Sequence, residues 1–166
     1  SVGRTKPPKH CQNQHIQIKN LDELYKLDKL DFDKVIFLIG SSNHHDININ
    51  IDMGIDFNVY PLNKALDYFS KRNLKKFICF TTILLYDQKK LVIPVDEKQE
   101  INPYANKYIF SKYLSEQIVN FYQNTVPSII IRLSNIYGYT ELRRPDLIPT
   151  IMQDVFEKEK VEIWSN

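Results

Sequence analysis

The sequence predicts an α/β fold with a doubly wound parallel sheet, and three observations carry that expectation. Short apolar runs alternate along the chain with amphipathic helical patterns, the order that parallel sheets require. The runs Val35-Ile36-Phe37-Leu38-Ile39 and Ile129-Ile130-Ile131 are apolar throughout, as in strands covered on both faces. Polar residues follow the strand ends, at Gly40-Ser41-Ser42, Thr81-Thr82 and Ser134-Asn135, where open α/β sheets gather their ligands.

The elements follow in order. Strands are expected at 16–19, 34–40, 76–82 and 128–133, with a further one at 161–164. A short amphipathic helix occupies 21–30. A longer one spans 56–72, with Phe57, Leu62, Ala65, Leu66 and Phe69 at helical spacing. The longest helix runs from 103 to 125: Asn102 is placed to cap it, Pro103 suits its first position, and Pro127 closes it. A last helix covers 146–160 and tolerates Pro149 in its first turn. Segments 43–50 and 87–101 read as loops.

Composition narrows the class. With 166 residues, 43% hydrophobic and 25% charged, the chain suits one globular domain with its own core. A formal charge of +2, with lysines interspersed among carboxylates, gives no sign of a nucleic-acid partner. No apolar stretch approaches the roughly 18 residues of a membrane span, and no signal peptide is visible. Cys11 and Cys79 have no partner pattern, which favours a reducing, cytoplasmic setting. His44-His45-Asp46 lacks metal-ligand spacing and reads as a solvated loop, so no metal is expected.

Chemistry concentrates at Tyr108 and Lys112. Their i, i+4 spacing inside a helix puts phenol and ammonium on one face. A cation beside a phenol stabilises its phenolate, which makes the pair an acid/base device. Upstream, a strand ends in Phe80-Thr81-Thr82-Ile83-Leu84-Leu85-Tyr86; downstream, another ends in Arg132-Leu133-Ser134-Asn135-Ile136-Tyr137-Gly138. Arg132, inside an apolar strand, reads as a structural ion-pair partner.

This ordered set resembles the extended short-chain dehydrogenase/reductase family, especially its nucleotide-sugar epimerases, dehydratases and reductases. Phe57-Asn58-Val59 and Arg144-Pro145-Asp146-Leu147-Ile148-Pro149 resemble further segments of that family. The resemblance implies an incomplete Rossmann-like fold, with Tyr108 as general acid/base and Lys112 holding the nicotinamide ribose while lowering the Tyr108 pKa. It implies that Thr82 binds the reacting oxygen and that Asn58 supports the proton relay. Arg4, Asn20, Leu21, Gly40, Ser41, Ser42 and Thr81 join Tyr108 and Lys112 as cofactor-binding residues. Tyr86, Asn135 and Tyr137 are implied substrate contacts. The expected cofactor is NAD or NADP, the partner a nucleotide-sugar substrate, and the assembly a homodimer.

The chain also departs from that family. Gly3, Gly40, Gly54 and Gly138 cannot form a glycine-rich pyrophosphate turn, so the 166 residues read as the middle of one NAD(P)-binding domain. Most of the substrate-binding portion is expected to lie elsewhere. Arg4 and Lys6, with no acid nearby, lean towards a 2′-phosphate. Ile83-Leu84 stand where the family's 4,6-dehydratases carry an Asp-Glu pair, which argues against that elimination. The expected activity is a nucleotide-sugar epimerase; a ketoreductase or a non-catalytic nucleotide-binding homologue are the alternatives.

Overall fold

The computed structural model describes residues 1–5, 15–138 and 147–158. The contact pattern divides the chain into two compact units, Ser1–Leu133 and Ser134–Asn166.

The first unit holds two parallel sheets. Strand β1 (Val2–Gly3) pairs with β2 (Ile16–Gln17) in a two-stranded sheet. Strands β3 (Lys34–Phe37), β4 (Lys76–Thr82) and β5 (Ser128–Leu133) form a three-stranded sheet in that order. Register pairs Val35 with Phe77 and Phe77 with Ser128, so β4 is central. The parallel, helix-connected arrangement agrees with the fold class expected from the alternating pattern.

One face of the three-stranded sheet carries the main core. Val35, Phe37, Phe77, Cys79 and Ile130 point there and meet Leu62, Ala65, Leu66 and Phe69 together with Val119. The first four of these helical residues belong to α3 (Tyr60–Ser70), and Val119 belongs to α4 (Lys107–Tyr122). The second face differs from expectation. Ile36, Ile129 and Ile131 are 62%, 42% and 36% exposed, so among the described residues the helices cover the sheet on one side. Their uniformly apolar sequence meets a partner layer only on the α3–α4 side. The third strand also stops at Phe37 rather than Gly40, which leaves Leu38 and Ile39 out of the ladder and exposed.

Helix boundaries shift where side chains compete for backbone donors. Segment 43–50 is not a loop: Asn43 accepts from Asp46 N and starts α1 (His44–Ile49). Asn50 accepts from Asp52 N and starts α2 (Ile51–Gly54). A π-helical stretch, Ile55–Val59, then joins α2 to α3. The wide turn directs Asn58 inward at 4% exposure and leaves Phe57 half exposed, against the helical spacing that placed Phe57 in the core.

The cap of the long helix falls four residues later than expected. Asn106, extended at φ −162° and ψ 172°, accepts from Ile109 N at 2.9 Å, while Asn102 and Pro103 lie in the preceding turn. The 21–30 segment shortens to a 3₁₀ helix, Leu21–Leu27, capped by Asn20. In the second unit, α5 (Leu147–Lys158) covers most of the expected last helix. The 161–164 strand and residues Arg144 to Asp146 lie outside the described residues, as do Lys6 and Cys11. No described helix is long and apolar enough to cross a membrane.

Candidate active site

The site is built where α4 crosses the π-helical stretch beside the end of β4. Small residues make that crossing possible. A Cβ added at Gly54 would stand 2.7 Å from the Cβ of Ser111 and 3.0 Å from Ile47, so the two backbones approach as closely as a bare glycine allows. Ser111 and Ser115, at i and i+4, form the α4 side of the contact and are buried. Asn58 Nδ2 donates to Ser111 Oγ at 3.1 Å, and Ser111 Oγ donates to Tyr108 O at 2.8 Å. Ser115 Oγ shares its proton between Asn58 O at 3.2 Å and Ser111 O at 3.0 Å.

Asn58 is the hub of this network. Its Oδ1 accepts from Ser41 N at 2.8 Å, which fixes the segment after β3, and from Lys112 Nζ at 3.1 Å. Gly40 lies against the same pair: a Cβ there would be 3.1 Å from Asn58 Oδ1 and 3.5 Å from Lys112 Nζ. Asn58, Gly40, Ser41 and Lys112 therefore meet, although they come from separate parts of the sequence. Ser42 follows in the same segment and is exposed.

Tyr108 is buried, at 4% exposure, with Lys112 Nζ 5.7 Å from its ring centroid. Burial pushes the phenol above its ordinary value, while a hydrogen bond with the Thr82 side chain pulls it down. Burial, rather than Lys112, thus sets the direction of the Tyr108 shift, opposite to the sequence expectation. The same physics acts on Lys112, whose ammonium is lowered to about 8 by desolvation. Thr82 ends β4 in an extended conformation and accepts from Leu84 N at 3.2 Å, which anchors its hydroxyl at the strand end.

Thr81, one residue earlier, faces the other way. Its hydroxyl donates to Glu116 Oε1 at 2.7 Å, so it is engaged with α4 rather than presented to a ligand. Glu116 also receives Arg132 in a two-pronged pair, Nε to Oε1 at 2.9 Å and Nη2 to Oε2 at 2.7 Å. Arg132 is the ion-pair partner that its apolar strand suggested. Its guanidinium lies 4.8 Å from the ring centroid of Tyr86, which is buried.

The remaining candidates in the first unit are Arg4, Asn20 and Leu21. Arg4 follows β1, is exposed, and its carbonyl accepts from Gln17 Nε2. Asn20 and Leu21 follow β2, with the Asn20 side chain spent on its helix cap. Asn135 and Tyr137 fall in the second unit. Sequence reading missed Gly54, Ser115, Glu116 and Asn48. The Ser111/Ser115 repeat was a usable signal for the close helix crossing; Asn48, whose Oδ1 accepts from Tyr108 N at 2.9 Å, left none.

The sequence model of the NAD dependent epimerase/dehydratase family matches residues 2–166. The chain belongs to this family. Solved structures with a similar fold include MoeE5 in complex with UDP-glucuronic acid and NAD, at TM-score 0.76 and 17% identity over 99% of this chain and 55% of that one. The UDP-glucuronic acid 4-epimerase from Bacillus cereus, in complex with UDP-glucuronic acid and NAD, is similar at TM-score 0.71 and 18% identity, covering 89% of this chain and 48% of its own. An NAD-dependent NDP-hexosamine 5,6-dehydratase, TunA, is similar at TM-score 0.70 and 20% identity over 92% of this chain and 50% of that one. The chain spans about half the length of these proteins. At such identities the likeness establishes the fold, and an epimerase and a dehydratase share it. No curated protein sequence matches the chain.

Proposed function

We propose that this chain carries the catalytic centre of an NAD-dependent nucleotide-sugar epimerase, with Tyr108 as its acid/base. The observation that carries the reading is the Tyr108–Thr82–Lys112–Asn58 cluster: a buried phenol whose proton affinity is lowered by the strand-end Thr82 hydroxyl, beside an ammonium held by one amide. The described residues fit a nicotinamide dinucleotide. Asn58 takes one of the three Lys112 donors, which leaves donors for ribose hydroxyls, and the bare Gly40 keeps the approach above that pair clear. The similar structures that hold NAD support NAD as the cofactor; Arg4 leaves a 2′-phosphate as the variant to test.

When bound, the nicotinamide supplies hydride acceptance and return at the sugar carbon. The chain manages the proton. The ionised form of Tyr108 takes it from the sugar hydroxyl as that carbon is oxidised, and the phenol gives it back on reduction. Thr82, which both donates and accepts, holds the same oxygen in either state. Lys112 orients the cofactor ribose, and Asn58 holds Lys112 and the Ser41 backbone in place. Epimerisation needs no further acid. Ile83 and Leu84, which follow Thr82, cannot exchange protons, which supports epimerase or ketoreductase over 4,6-dehydratase chemistry.

A homodimer, built on the outer faces of α3 and α4, and a cytoplasmic setting complete the proposal. Tyr108→Phe in the full chain, assayed with NAD and UDP-glucuronic acid or UDP-glucose, is expected to lower kcat by about 10²–10⁴-fold with KM little moved. Undiminished turnover by that variant would falsify the acid/base assignment.

A further inference from the structure

Tyr108 is covered by a residue that the reading above gives no task. The imidazole of His44 stacks on the phenol ring, with centroids 3.8 Å apart and planes at 22°. His44 itself is exposed, yet the ring beneath it is 4% exposed. The contact is one of several along a single face of α1. Ile47, fully buried, packs with Tyr108 and Ile109. Asn48 Oδ1 accepts from Tyr108 N at 2.9 Å, and the Ile49 carbonyl accepts from Lys107 Nζ at 2.8 Å. Positions 44, 47 and 48 share one helical face at i, i+3 and i+4, so α1 grips the start of α4 by backbone and by ring together.

We propose that His44 is a positioning residue for Tyr108, its imidazole sealing one face of the ring and holding the phenol against Thr82. The phenol oxygen lies on the axis of the ring's outer torsion, so what would carry it away from Thr82 is rotation about the first torsion, between staggered wells. A second flat ring laid on its face removes that freedom and keeps water off it. The stack calls for a neutral imidazole, because the groups facing it include the Lys112 ammonium from α4. Partial desolvation against the Tyr108 ring and the Lys112 charge both hold His44 below its ordinary value, which favours the neutral imidazole. The functional weight of this inference rests on the acid/base reading of Tyr108, but the stack can be measured without it.

The test uses the full chain labelled with [4-¹³C]tyrosine and with ring-protonated tyrosine, the Tyr108 signals being identified by their loss in Tyr108→Phe. In wild type the Tyr108 ring protons are expected upfield, shifted by the imidazole ring current. His44→Ala should move them downfield and lower the phenol titration towards the ordinary value near ~10. His44→Phe, which restores a flat ring without a titrating group, should return both readings to those of wild type. Unchanged signals in His44→Ala would overturn the proposal, and so would a folded His44→Phe that behaves like His44→Ala. With UDP-glucuronic acid as probe, His44→Ala should lower kcat by about tenfold with KM little changed. Equal kcat would also overturn it, and the resonance measurements alone decide if that probe is not turned over. Full activity in Tyr108→Phe removes the acid/base role while leaving the ring stack to stand or fall on the resonance data.

Discussion

At the scale of single residues, solvent exclusion governs the site more than pairwise charge. Tyr108 and Lys112 share a helical face, as their spacing required, but each is shifted against its charged form by burial. Lys112 yields a testable consequence for stability. Its folded value of about 8 lies below the unfolded 10.5, so between these limits the unfolded chain binds more protons. The contribution of Lys112 therefore rises with pH across that window and is least favourable below it. Comparing urea midpoints of wild type and Lys112→Met at pH 7 and pH 10, wild type should gain on the variant by up to roughly 3 kcal/mol at the higher pH. A gap independent of pH would show that burial does not act on Lys112 in this way. Comparing the two proteins at the same pH also removes the opposing contributions of Tyr108 and of the Cys79 thiol, which burial pushes up to about 12.

At the scale of elements, the close crossing of α2 and the π-helical stretch against α4 holds the site together. Gly54 has ordinary helical dihedrals, so its need is for space rather than for an unusual backbone angle. Gly54→Ala would force a methyl group to 2.7 Å from Ser111 Cβ, and repacking of that kind costs about 1–3 kcal/mol. Thermal denaturation should show the loss, and Lys112 should titrate higher as the cluster around Asn58 loosens. An unaffected melting temperature would mean the helices can part at no cost. A separate element explains why α4 starts where it does. Asn102 and Pro103 suited a helix start on sequence grounds. Backbone pairing of Asn102 N with Leu85 O, at 2.8 Å, keeps Asn102 in the preceding segment and leaves capping to Asn106.

At the scale of the whole molecule, the outer surfaces of α3 and α4 bear on assembly. Tyr60 is 53% exposed and Phe121 79% exposed, large apolar groups outside the core. In sedimentation equilibrium at micromolar concentration the full chain is expected at twice its monomer mass. The double variant Tyr60→Glu/Phe121→Glu should shift it towards monomer. A wild-type monomer at that concentration would remove the proposed dimer. Family membership rests on the match across residues 2–166.

Much was legible in the sequence because it depended on local pattern. The apolar runs located β4 and β5 to the residue, and the order of Thr82, Tyr108, Lys112 and Asn135 carried the family. Other features depended on partners distant in sequence, which local pattern cannot encode. Phe57 left the core because a π-helical turn brings Asn58, rather than Phe57, onto the face that meets α4. Thr81 turned to Glu116 because successive strand side chains point to opposite faces, and α4 lies on its side. His44 and Asn48, read as loop, became the grip on Tyr108 once Asn43 capped a helix. The sequence by itself determined which groups can exchange a proton and the elements that carry them. Tertiary structure decided which of those groups are buried together, and burial sets their proton affinities.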